Sequence, residues 1–205
     1  MIFNGEMVRA ILEGRKTQTR RVLATYQDAV KFCPEWDVNG KQIFIVLGEK
    51  DHTGMNPVIT AIPCPFGQPG DRVWVRETFR VHSRATDVAT LVYRASVRNS
   101  WTEQTHRVPV AVCNKPATPE KWTPSIHMPR WASRITLEIT GVRVERLNSI
   151  TESDAEAEGV TDTGFGDLLV DGYRYLWKSI YGEESWAANP WVWVIEFKRV
   201  EGGAA

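Results

Sequence analysis

Eight consecutive residues, Gly14-Arg15-Lys16-Thr17-Gln18-Thr19-Arg20-Arg21, carry four cations, two hydroxyls and an amide. Such a run is costly to bury and useful to expose. Its plain alternative is a solvated basic loop. If the chain runs extended from Thr17 to Arg21, then Thr17, Thr19 and Arg21 share one face and Gln18 and Arg20 the other, with Lys16 at the bend able to join the first set. A second signal is Glu158. Thr151 is a good N-cap, Glu152 and Asp154 complement the first turn of a short helix, and Gly159 supplies its stop. Glu158 alone is left unexplained, because it faces the negative end of the dipole. It is either an exposed glutamate costing roughly a few tenths of a kcal/mol, or a carboxylate whose local field makes it a better base or calls for a cation beside it.

Other residues invite weaker readings. Glu77 falls on the aliphatic side of a strand predicted over 72–81, where it must lie at the strand end or pair, for instance with an arginine. His127 has no partner His or Cys at metal spacing, so a structural hydrogen bond is the better expectation. The cysteines, Cys33, Cys64 and Cys113, are odd in number and widely separated, which points to a reducing, cytoplasmic setting and no metal site. No apolar run is long enough to span a membrane.

The elements that must position these groups are mostly strands. Apolar spacing at Met7, Ala10 and Ile11 predicts a helix ending near Gly14. Residues 24–40 show little periodicity; 41–47 and 58–62 read as short strands around a polar turn. A hairpin pairs 88–95 with 107–112. In the strand from Ile135, apolar parity switches at Gly141, which predicts a bulge or bend. Residues 161–170 read as a flexible loop. Tyr173, Leu176, Trp177 and Ile180 predict an amphipathic helix stopped by Gly182. Residues 191–200 are apolar on both faces and must form a central strand. In 205 residues with 25 Lys plus Arg against 25 Asp plus Glu, one domain with insertions at 24–62 and 82–125 is expected, with a short flexible tail at 201–205 and no global field for coating a duplex.

Taken together, Gly14-x-Lys16-x-x-Thr19-x-Arg21, the Gly70-Asp71 turn entering a strand, the Thr151 to Gly159 helix and the final Trp193-Val194-Ile195-Glu196-Phe197-Lys198 strand resemble the ASCH domain. The longer form, with Cys64-Pro65, Arg76-Glu77-Thr78 and Pro129-Arg130-Trp131-Ala132-Ser133-Arg134, is similar to ASCH proteins of phages and prophages. The resemblance implies an α+β fold built on a small PUA-like β-barrel with short helices at its ends. It also implies a relation to N4-acetylcytidine amidohydrolases, whose catalytic lysine, threonine and glutamate match Lys16, Thr19 and Glu158; no cofactor is expected. Arg21, Arg76, Glu77, Trp131 and Ser133 are the expected substrate contacts. Three function classes follow. In an amidohydrolase, Thr19 or water attacks an acyl carbonyl while Lys16 and Glu158 manage protons and Arg21 steadies charge. In a ribonuclease acting on single-stranded RNA, Lys16 and Arg21 neutralise the phosphorane. A non-catalytic RNA-binding module would use Trp74 or Trp131 as a stacking platform beside exposed arginines at 72, 76 and 80.

Overall fold

The computed structural model describes residues 1–161 and 168–200, so the expected tail and the middle of the expected 161–170 loop lie outside the described residues. In chain order the elements are α1 (Gly5–Leu12), β1 (Gln18–Val22), β2 (Lys31–Trp36), β3 (Gln42–Leu47), β4 (Val58–Pro63), β5 (Arg72–Trp74), β6 (Phe79–Arg84), β7 (Val88–Tyr93), α2 (Trp101–Gln104), β8 (Thr105–Pro109), β9 (Thr136–Arg146), α3 (Glu152–Ala157), α4 (Leu169–Tyr181), α5 (Glu184–Ala187) and β10 (Trp191–Val200). The fold is mixed α+β and rich in strands, and among the described residues no closed barrel is formed. Its chain divides into two compact units, each assembled from separated stretches. The first comprises Met1–Gly14, Arg72–Glu138 and the stretch from Arg199, the second Arg15–Asp71 and Ile139–Lys198.

In the first unit, Asn4 caps α1 by accepting the Met7 N–H at 2.8 Å, and Gly14 leaves the helix at φ +76°, a conformation that favours glycine. Val8, rather than Met7, joins Ala10 and Ile11 as the buried stripe. The predicted 72–81 strand is broken in two. β5 pairs with Thr136–Glu138 of β9; then the Arg76 N–H turns to Met1 O at 2.7 Å, and only from Phe79 does the chain pair with β7. A change of backbone partner, invisible to side-chain periodicity, ends the first strand. The predicted hairpin forms as β7 and β8, in register from Val88↔Pro109 to Val92↔Thr105. Phe79, Val81, Leu91, Tyr93 and Met128 fill this unit's core.

In the second unit, β10 lies between β1 and β9, the central position its two apolar faces required. Val192 and Val194 pack with Tyr173 and Trp177 of α4, while Trp193 on the other face meets Phe44 of β3 edge-on, with ring centroids 5.2 Å apart. Ile180 departs from the expected stripe and is 47 % exposed. The β2-β3-β4 meander contains a strand that periodicity missed: only Phe32 of β2 is buried, and Pro34 fits because β2 is an edge strand. On β9, Leu137 and Ile139 are buried, and then Val142, so the burial parity changes at Gly141 as the sequence implied. Gly141 also makes room for a neighbour, since a Cβ there would lie 2.8 Å from a carboxylate oxygen of Glu196.

Candidate functional site

Two backbone hydrogen bonds set the geometry around Lys16. The Thr17 N–H donates to Ala157 O at 2.8 Å and the Thr17 carbonyl accepts the Phe197 N–H at 2.8 Å, clamping the chain between the end of α3 and β10. From this clamp the Lys16 amine reaches Glu158 Oε2 at 2.6 Å and the Glu158 carbonyl at 2.8 Å. Glu158 is the C-cap of α3, so its carbonyl is one of those a helix leaves without an intrahelical donor. One ammonium therefore serves both the carboxylate and the negative end of the helix. Gly159 turns the chain away at φ +88°. The exposed reading of Glu158 does not hold: side-chain exposure is 0 % for Lys16 and 2 % for Glu158.

Arg20 completes the setting. Its Nη1 lies 3.3 Å from Glu158 Oε1, and its Nη2 is 2.6 Å from Glu145 Oε1 and 3.2 Å from Asp154 Oδ2. Arg143 binds the same acids from the other side, at 2.7 Å to Asp154 Oδ1 and 3.0 Å to Glu145 Oε2, and also pairs with Glu196. Gln18 joins through its amide, donating to Asp154 Oδ1 at 3.2 Å and accepting from Arg143 at 3.3 Å. Three cations thus face four carboxylates. These seven groups sum to one net negative charge and leave no surplus positive charge for a phosphorane.

Burial lowers the Lys16 pKa; the Glu158 carboxylate opposes this through its charge and hydrogen bond, and the charges of Arg21 and Arg20 add to the lowering. Partial desolvation would raise the Asp154 pKa, but hydrogen bonds from Thr151 and the Arg20 charge outweigh it and hold the carboxyl at about 2. Asp154 therefore contributes stability that is present above its ordinary value of 3.8 and lost as pH falls toward about 2. Asp154→Asn is expected to be less stable than the parent at neutral pH and to show a flatter acid limb across that window, measured as urea midpoint against pH. An unchanged acid limb would remove Asp154 from the account.

The structure brings Lys16 and Glu158 together but sorts their neighbours differently from the expectation. In the antiparallel register, Arg20 lies opposite Val194 and Thr19 opposite Ile195, so Gln18 and Arg20 share the face toward α4 while Thr19 and Arg21 take the other. Lys16 joins the first set. Thr19 is buried on the side away from Glu158, and Arg21 acts on Lys16 through its charge. The remaining expected contacts fall in the first unit, where each has an evident structural role. Arg76 covers the Trp74 ring at 4.6 Å. Buried Glu77 receives two N–H groups of Arg134 at 2.9 and 3.0 Å, the pairing its strand position called for. Trp131 meets Phe79 edge-on, and the Ser133 hydroxyl donates to Val75 O at 2.8 Å. Of the three arginines expected to be exposed, only Arg72 is; Arg76 and Arg80 are half-buried. Arg20, Gln18, Arg143 and Glu145 had been passed over. The signal available was the even parity of Gln18 and Arg20, the polar set on the side of β1 that meets α3.

Cys33, Cys64 and Cys113 are free thiols. No helix among the described residues is long and apolar enough to cross a membrane, and no group of three or more His, Cys, Asp or Glu among them is placed to hold a metal ion. Compared with protein-family models, curated proteins and solved structures, the chain gives no match.

Proposed function

We propose that the protein is a hydrolase acting on a modified nucleoside in a reducing, cytoplasmic setting, with an N4-acylated cytidine as its substrate class, and that its strand-rich fold is of the PUA-like kind that its motif residues resemble. The observation that carries this reading is the buried Lys16–Glu158 pair, with the lysine pKa lowered by burial. A buried group with a shifted pKa and an ion-pair partner is a candidate for proton transfer. In the proposed reaction, water adds to the acyl carbonyl as Glu158 accepts its proton, and the Lys16 ammonium hydrogen-bonds the developing oxyanion. Collapse breaks the C–N bond as Glu158 returns the proton to the departing nitrogen, giving acetate and cytidine. Water is preferred to Thr19 as nucleophile because Thr19 points to the other face of β1. Arg20 holds the second oxygen of Glu158 and acts as a positioning residue. With both side chains sealed from solvent, turnover requires a change of conformation that exposes them.

That same burial favours one other reading, in which the ion pair only supports the fold and carries no chemistry. Incubation with N4-acetylcytidine, scored by mass, separates the two. Loss of the acetyl group by the parent and not by Lys16→Met supports the hydrolase, while an unchanged nucleoside with a well-folded parent overturns it. A mixed RNA incubated in parallel with and without chelator should stay intact on a gel, and chain cutting would move the assignment to a ribonuclease.

A further inference from the structure

The first unit contains a cleft of about 760 Å³ between the start of α1, the turn after β7 and the segment around Trp122. A volume of that order suits a small organic ligand. Arg9, Arg94 and Arg98 line it. Arg9 spends one N–H on Ala95 O at 3.1 Å, which leaves most of its donors uncommitted. The Arg94 and Arg98 side chains are exposed and make no hydrogen bond or ion pair among the described residues. Two carboxylates share the wall. Glu77 is already engaged by two N–H groups of Arg134, so among the described lining residues only the exposed Glu6 offsets the three guanidiniums. The balance favours an anion, and guanidinium forks match phosphate oxygens.

The cleft also holds an aromatic surface. Trp122 lines it, is half-buried, and has the Arg80 guanidinium over its ring at 4.6 Å. An indole held by a cation and still partly open offers a flat surface for a planar base. We propose that this cleft is a nucleotide-binding site, with the phosphate on Arg94 and Arg98 and the base against Trp122. The site shares no residue with the Lys16–Glu158 cluster and does not rest on the hydrolase reading, so either can fail alone.

Titration calorimetry at low salt with cytidine 5′-monophosphate, cytidine, inorganic phosphate and hexacytidylate tests the proposal without any turnover. The monophosphate is expected to bind more tightly than either cytidine or phosphate. Arg94→Gln combined with Arg98→Gln should weaken it at least roughly tenfold and flatten the salt dependence, because two phosphate contacts are removed. Trp122→Ala should weaken the monophosphate roughly tenfold while leaving inorganic phosphate unaffected, and Trp122→Phe should restore most of the loss. Since both arginines are exposed, an unchanged thermal midpoint in the double variant verifies that the fold is intact. Stronger binding of the hexamer than of the monophosphate identifies a single strand as the source of the nucleotide; equal binding identifies the free nucleotide. The proposal is overturned if the double variant binds like the parent, if phosphate alone binds as tightly as the nucleotide, or if no probe binds up to millimolar concentration.

Discussion

Glu158→Gln is expected to cost about 3–5 kcal/mol of folding stability and, if the protein is a hydrolase, to lower turnover by roughly two to four orders of magnitude. The helix dipole alone would suggest a near-neutral change, since it opposes a carboxylate at this end. Burial reverses that estimate. Glu158 is 3 % exposed and lies between Lys16 and Arg20, so the amide leaves a buried ammonium without its counter-charge. Lys16 would answer by releasing its proton more readily, and its pKa is already lowered by burial. The sign with pH follows: a lysine whose folded pKa lies below the unfolded value of 10.5 makes the protein more stable as pH rises between the two. The Gln variant should therefore recover part of its deficit at high pH, and Lys16→Met combined with Glu158→Gln should lose less than the sum of the single changes. Urea denaturation at several pH values reads all three quantities. A loss under about 1 kcal/mol with no pH dependence would show that the pair contributes nothing the amide cannot replace.

The second large effect is expected at Arg134. This side chain gives two N–H groups to Glu77, another to Ser96 Oγ at 2.9 Å, and lies over the Tyr93 ring at 4.0 Å. Glu77 is 2 % exposed, and burial holds its pKa above the ordinary 4.5 even though Arg134 pulls it down. Arg134→Ala strands that carboxylate, at about 3–5 kcal/mol near neutral pH. A carboxyl with a raised folded pKa binds more protons folded than unfolded between 4.5 and that raised value, so its penalty grows as pH rises through the window. The deficit of Arg134→Ala should accordingly be smaller at pH 4 than at pH 8, and Arg134→Lys should recover part of it. If the deficit is the same at both values, the loss comes from the contacts to Ser96, Tyr93 and the Glu103 carbonyl, which accepts from Arg134 Nη1 at 3.0 Å, and not from the stranded charge.

What could be read from the chain beforehand depended on whether the signal was local. The cap of α3, the stops at Gly14, Gly159 and Gly182, and the central place of β10 all follow from neighbouring residues, and each forms. Glu158 stood out for the right reason, a carboxylate that helix energetics did not want. What helix energetics could not reveal was the occupant of the space beside it. Arg20 sits next to Arg21 in a basic run, and only the register with β10 decides which of the two turns toward α3. β2 was missed because an edge strand needs one buried residue, not a pattern. The break after β5 was missed because its cause is Met1, far away in sequence, taking the Arg76 N–H.

The place of β10 in its sheet also bears on how the chain is made. β1 is synthesised long before its hydrogen-bonding partner, with nearly the whole described sequence between Gln18 and Glu196. Until β10 emerges, β1 has no neighbour on that edge and β9 lacks the strand that separates it from β1. Loop closure over such a span is entropically slow, and unpaired edges left waiting are open to pairing with other chains. The closing of this sheet, and with it the clamp that holds Lys16 against Glu158, therefore waits for β10.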